Sequence, residues 1–180
     1  MRRKSVTSEM MRSYIADSLL LLMEHKNFQS ITIAEIVKKA GVNRSTYYRH
    51  FDKKEDVILY FLEHLSKTFL KSVGSQELVL EDYLTKLYAH YLQSKKQMLT
   101  IYNNGLSALL LDVLKKCLGG EGLENKPISE QYDTAYHIGG TFNHFLLWFS
   151  RDMVDPPETM AKYTLAVLTP SVQEKHQNAQ

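Results

Sequence analysis

The sequence predicts an all-α protein of about nine helices, in which a small N-terminal unit of short helices leads into a larger helical one. Three observations carry that expectation. Apolar residues recur at helical spacing along most of the 180-residue chain. No stretch of useful length alternates apolar and polar side chains as a half-buried strand would. Near the start, two short helices with capping residues flank a glycine turn at Gly41.

Each element follows from its residues. Met11, Ile15, Leu19, Leu22 and Met23 make an apolar stripe that predicts an amphipathic helix over residues 7–26. "NFQS" at 27–30 breaks the pattern, and Thr32 opens a second helix as N-cap, with Glu35 placed to close a capping box. Ile33, Ile36, Val37 and Ala40 give that helix its buried face. Gly41 ends it, because glycine takes the left-handed C-terminal conformation without steric cost. Asn43 caps a third helix over 44 to about 50. Val57, Ile58, Phe61, Leu62, Leu65 and Phe69 predict a long fourth helix from Lys54 to "VGS" at 73–75. Helices are expected next at 78–94, from 95 to the Gly105 break, and on to the "GGEG" loop at 119–122. An aromatic-rich helix at 128–150 follows, and a last one begins after "DPP" at 155–157 and ends before Pro170, with Pro157 in its first turn, where a missing N–H costs nothing. A polar tail follows Pro170.

Composition narrows the class. At 44% hydrophobic residues the chain can build a sizeable core without staples. Its one cysteine, Cys117, excludes an intramolecular disulfide and a cysteine-rich zinc site, and points to a reducing, cytoplasmic location. "MRRK" at the start is followed by Glu9, Arg12 and Asp17, and the longest apolar run nearby is 19–23, so neither a signal peptide nor a membrane span is expected. Charge is uneven: residues 1–54 hold eleven Lys/Arg against five Asp/Glu, while residues 55–180 hold eleven against fifteen. A basic N-terminal unit beside a mildly acidic remainder divides the chain at 54/55 and suggests that the first part meets a polyanion.

The basic residues concentrate around the glycine turn. Arg44, Ser45, Tyr48 and Arg49 fall on one helical face, and Val42, Tyr47 and Phe51 on the other, toward the first two helices. This is the pattern of a helix-turn-helix whose second member enters the major groove. Arg44 suits a bidentate contact to guanine, Ser45 and Thr46 suit a base edge or a phosphate, and the Tyr48 hydroxyl is a neutral donor to phosphate oxygen. Lys53 and Lys54 sit at a helix N-terminus, which favours an anion.

"TIAEIVKKAGVNRSTYYRHFDKKEDVI", residues 32–58, resembles the DNA-binding region of tetracycline-repressor-type (TetR/AcrR) transcriptional regulators. The resemblance implies that Thr32, Tyr48, His50 and Lys54 hold phosphates, that Asn43, Arg44, Ser45, Thr46 and Arg49 address the groove, and that Phe51 is core. It also implies that the Tyr47 ring packs while its hydroxyl reaches DNA. Asn43 and Arg44 depart from the smaller residues common there. By the same resemblance the C-terminal unit binds a small-molecule effector and its last two helices, 128–150 and 157–168, pair across a two-fold axis. The implied protein is a homodimer on a near-palindromic double-stranded operator, a repressor released by its effector. The alternative is a helical interaction module of the same type that does not itself bind DNA.

The effector region is read from aromatic residues. "AYHIGGTFNHFLLWF" at 135–149 supplies Tyr136, His137, Phe142, His144, Phe145 and Trp148, with Tyr88, Tyr91 and Tyr102 as further wall; core or dimer packing is the competing reading of the same residues. Gly139 and Gly140 inside a helix suggest a close helix approach or a kink. His137 and His144, with His90 or Cys117, are poor metal ligands because seven residues along a helix span about 10 Å; no metal or cofactor is expected. No nucleophile elbow, phosphate-binding glycine loop, His-Glu-x-x-His or carboxylate pair in a glycine or proline context is present, so no enzyme is expected.

Overall fold

The computed structural model describes residues 2–74, 78–118 and 122–168, with side chains from residue 8 onward. All regular structure among the described residues is helical. Nine α-helices follow one another: α1 Arg2–Met23, α2 Ile33–Ala40, α3 Arg44–Tyr48, α4 Lys54–Val73, α5 Leu80–Gln93, α6 Lys95–Asn103, α7 Ala108–Cys117, α8 Ile128–Ser150 and α9 Pro157–Val167. Single 3-10 turns lie at Phe28–Ser30 and Leu123–Asn125. Ser75 of "VGS", most of the "GGEG" loop and the tail from Pro170 lie outside the described residues.

Local rules account for the head, α1 to α3. The Thr32 side chain accepts from the Glu35 N–H and the Glu35 carboxylate accepts from the Thr32 N–H at 2.8 Å, which completes the capping box. Gly41 takes φ +67°, and the Val42 N–H returns to the Val37 carbonyl at 3.0 Å, so the carbonyls at the end of α2 are satisfied by a left-handed cap. Three boundaries differ from expectation, α1 ending at Met23 rather than residue 26. α1 starts at Arg2 rather than residue 7, and α3 ends at Tyr48, two residues early, because the His50 and Phe51 N–H groups both turn back to the Tyr47 carbonyl.

One core unites head and body. Ile15, Leu19, Phe28, Ile36 and Tyr47 of the head are contiguous with Ile58 and Leu62 of α4, and through these with Tyr88, Phe145 and Trp148 behind. α1 packs on α2 and α4, α4 packs on α7, and α5 lies along α9. α4 is therefore shared: its N-terminal end closes the head and the rest of it is a wall of the body.

α6 ties the body to the head a second time. Lys96 on α6 pairs with Glu24, just past α1, at 2.8 Å, and the Asn104 side chain, at the end of α6, accepts a hydrogen bond from the Phe28 N–H at 2.9 Å.

Gly139 and Gly140 lie inside α8 with no close neighbour among the described residues. A Cβ built on either meets nothing within 4 Å among the described residues, and the helix runs unbroken through both.

Candidate nucleic-acid interface and interior cavity

α3 stands at the surface of the head. Asn43 caps it: its Oδ1 accepts from the Thr46 N–H and from the Ser45 hydroxyl, each at 2.8 Å. That oxygen and that hydroxyl proton are therefore spent on starting the helix. Arg44, Ser45, Tyr48 and Arg49 are exposed and Thr46 is half-buried, so the face expected to address the groove does face solvent. Tyr48 is 55% exposed and rests edge-on against the Tyr47 ring at 5.4 Å. Thr32 is exposed at the start of α2, while His50 is half-buried behind α3. Burial first, then the nearby Arg12 and Arg49 charges, lower the His50 pKa below the ordinary 6.5.

Two members of the expected contact set turn inward. Tyr47 is wholly buried, ring and hydroxyl together, and its hydroxyl has no hydrogen-bond partner among the described residues. The expectation that this hydroxyl reaches DNA is corrected: α3 is too short and too close to α1 and α2 for a residue on its inner face to regain the surface. Lys54 likewise points back into the head. Its ammonium donates to the Phe28 and Ile31 carbonyls at 2.7 Å each and to Gln29 at 3.4 Å, and sits 4.6 Å from the centre of the Phe28 ring. A phosphate contact by Lys54 would have to break these bonds. The N-terminus of α4 is also occupied, since the Asp56 carboxylate accepts from the Asp52 and Lys53 N–H groups at 3.2 and 3.0 Å. Lys53 itself remains exposed.

The body holds a cavity of about 290 Å³ between α4, α5, α7, α8 and α9. Four residues expected in a pocket line it: Tyr88, Tyr91, His137 and Phe145. Tyr102, Tyr136, Phe142, His144 and Trp148 do not. Tyr102 packs edge-on against Phe149, Tyr136 is 68% exposed on the outer face of α8, and Phe142 packs at the core margin. His144 and Trp148 border instead a surface groove between α8 and α9. The expectation weighted aromatic content and ignored helix phase. Asp133, His137, Thr141 and Phe145, four residues apart in turn, form the stripe of α8 that faces the cavity. That spacing was legible. The contributions of Phe69 and Leu70 from α4 and of Leu114 and Leu118 from α7 were not, since single apolar positions there read as ordinary core.

Most of the wall is apolar, and its polar groups are tied together. The Tyr88 hydroxyl bonds the Thr164 hydroxyl at 2.6 Å, Thr164 meets His144 Nδ1 at 3.1 Å, and Tyr91 bonds Ser66 at 2.8 Å. Burial pushes the Tyr91 hydroxyl up to about 12, so it does not ionise near neutrality. Asp133 and His137 pair at 3.3 Å. No group of three or more His, Cys, Asp or Glu side chains gathers as a metal site among the described residues, and no described helix is long and apolar enough to cross a membrane.

The outer face of α8 carries exposed Tyr132, 75% exposed, Tyr136 and Leu147, separated by Gly140 and the polar Asn143, with exposed Tyr163 and Val167 of α9 nearby.

Residues 15–61 match the model of bacterial regulatory proteins of the tetR family. None of the curated proteins matches the chain. Among solved structures, a TetR transcriptional regulator from Streptococcus agalactiae 2603V superposes with a TM-score of 0.64 at 18% identity, over 93% of this chain and 98% of that one. The dihydroxyacetone kinase operon activator DhaS gives 0.56 at 14% identity, over 91% and 97%. Thermus thermophilus FadR, a TetR-family transcriptional repressor in complex with lauroyl-CoA, gives 0.52 at 19% identity, over 87% and 92%.

Proposed function

From a head that is of the tetR regulatory family and a body that shares the fold of its regulators, we propose that this chain is a sequence-specific, DNA-binding transcriptional repressor that acts as a homodimer and is released from its operator by a small-molecule effector. The observation that carries the reading is the solvent face of α3, where Arg44, Ser45, Tyr48 and Arg49 stand together on a helix whose start is fixed by Asn43. In this reading residues 1–54 form the reading head and 55–180 the effector and dimerisation unit. Thr32, Tyr48, His50 and Lys53 position the head on phosphates, while Arg44, Thr46 and Arg49 address bases. Asn43 and Ser45 act mainly by holding α3 in its docking geometry.

A second copy is the natural cover for the outer face of α8 and α9. Tyr132, Tyr136 and Leu147 stand exposed there with Tyr163 and Val167, and Gly139 and Gly140 leave room for another helix to approach. A two-fold pair reads half-sites about 34 Å apart.

The cavity supplies the release. α4 lines it through Ser66, Phe69 and Leu70 and carries Lys53 and Lys54 at its other end. From Lys54 to Phe69 is about 22 Å of helix, so a tilt of about 5° at the cavity moves the head by about 2 Å. Two such displacements in a dimer spoil the half-site spacing. That a neighbouring fold was captured with lauroyl-CoA supports a small-molecule role for the body. The test is a footprint on the DNA flanking the gene of this chain, with competitor DNA present. A protected near-palindrome supports the reading; no protection there or in a genome-wide binding selection refutes it.

A further inference from the structure

The polar groups that hold the cavity wall together are bonded to one another. The Tyr88 hydroxyl meets Thr164, which in turn meets His144, and the Tyr91 hydroxyl meets Ser66. Among the described residues one carboxylate lines the cavity, Asp133, and it is paired with His137; no lysine or arginine lines it. Burial raises the pKa of the Tyr83, Tyr88 and Tyr91 hydroxyls, so they stay neutral near pH 7. An ion entering here gives up its hydration for a wall whose charges already have partners, which is the costly case for a charge leaving water. Most of the remaining wall is hydrocarbon, and it reaches the surface as hydrocarbon. Leu70, 45% exposed near the end of α4, and Leu118, 43% exposed at the end of α7, both line the cavity. α4 and α7 pack together, so these two half-exposed leucines mark where the cavity meets water.

At interior packing density about three-quarters of a volume of about 290 Å³ is filled by ligand atoms, which suits a molecule on the order of a dozen heavy atoms. We propose, resting on the effector reading above, that the cavity takes an uncharged, mainly hydrocarbon molecule of that size, which enters past Leu70 and Leu118 and packs among Phe69, Leu84, Leu87 and Phe145. Burial of its apolar surface supplies the binding, and selection is by charge and size rather than by a directed hydrogen bond. Such a ligand leaves the hydroxyl pairs of the wall intact. Tyr88 goes on tying α5 to Thr164 of α9, and Tyr91 goes on tying it to Ser66 of α4, while the space between them fills. Contact with Phe69 and Leu70 sets the ligand against α4, the helix that carries the head.

Three probes of one skeleton separate charge from hydrocarbon: 1-decanol, decanoate and decylamine, each below its micelle concentration at pH 7, titrated against the full chain. The single tryptophan, Trp148, reports binding, since its ring lies 5.4 Å from Tyr88 and 6.3 Å from Phe145, both in the cavity wall. Decanol is expected to bind at least about tenfold more tightly than either ion. Thr141 lies on the α8 stripe that lines the cavity, so Thr141→Lys sets a cation in the wall. Decanoate should then gain at least about tenfold on decanol, while Thr141→Val keeps the order of the parent. Binding of either ion to the parent as tightly as decanol overturns the ligand class and leaves the effector reading standing. An order unmoved by Thr141→Lys, in a variant that still melts cooperatively, puts the probes outside this cavity and overturns the assignment. The ranking by the parent decides the class whether or not that variant folds. Absence of binding by all three probes overturns both the class and the effector reading.

Discussion

Replacing Tyr47 by phenylalanine isolates one oxygen atom and asks where it points. In the structure the ring is clasped edge-on by Tyr48 at 5.4 Å and tilted on Phe51 at 6.0 Å, contacts a phenylalanine ring reproduces. The hydroxyl is buried without a partner among the described residues, and burial, reinforced by Asp56, raises its pKa far from neutrality. An unpaired buried hydroxyl costs roughly 1–3 kcal/mol. Part of that returns as a small void when the oxygen is removed, so a net gain of about 0.5–2 kcal/mol is expected. For a chain of this length the gain corresponds to a rise of about 1–8 °C in Tm. Circular dichroism melts of the two proteins measure it, and titration with a duplex operator or, at low salt, any duplex measures whether DNA affinity is untouched. A loss of more than about 1 kcal/mol of stability, or a tenfold weaker grip on DNA with stability unchanged, would refute the argument, the second because the hydroxyl would then have been reaching phosphate or base.

Six other outcomes follow from the geometry. Lys54→Ala should lower Tm by roughly 6 °C or more, because two short charge-assisted bonds to main-chain carbonyls disappear; a lysine that only met phosphate would leave the melt unchanged. Thr32→Ala should cost about 1 kcal/mol, and its partner Glu35, whose carboxyl is held down to about 2 from 4.5 chiefly by Lys26, should stabilise the head fully above pH 4.5 and lose that effect as pH falls toward 2; comparing Glu35→Gln with the parent across that window checks the sign. His50 has a free-state pKa below 6.5, and a phosphate beside it would raise that value, so proton uptake should strengthen DNA binding as pH falls from 8 to 6; equal pH slopes for the parent and His50→Gln would remove His50 from the interface. Arg44→Ala should relax preference at one base pair by ~1–3 kcal/mol, whereas Tyr48→Phe should weaken all sequences alike, as a quantitative binding selection would reveal.

What the sequence disclosed and what it withheld divide along a physical line. The capping box at Thr32 and Glu35, the left-handed stop at Gly41 and the Asn43 cap each depend on residues within about four positions of one another, and all three are present as read. Lys54 shows the limit. A lysine at a helix N-terminus reads as an anion ligand, and only the packing of a turn more than twenty residues earlier turns it into a clamp on carbonyls. The cavity needed five helices to be placed at once, so its α4 and α7 walls were invisible, while the aromatic run on α8 was divided by helix phase among cavity, core and outer surface. The glycine pair suggested a close helix approach or a kink, and among the described residues no atom comes within 4 Å of a Cβ built on either.

The turn at Phe28 has one more property. On the head side the groups that receive Asn104 and Lys54 are main-chain atoms: the N–H of Phe28 and the carbonyls of Phe28 and Ile31. Main-chain atoms are the same in every sequence. The hydrogen-bonded part of the joint is thus indifferent to which bases α3 has been selected to recognise, while Glu24, which meets Lys96, and the apolar side chains of α1 that pack on α4 are what the head contributes by sequence. Substitutions on the exposed face of α3 therefore leave this joint untouched, whereas a foreign head would also have to supply the apolar residues that pack on Ile58 and Leu62.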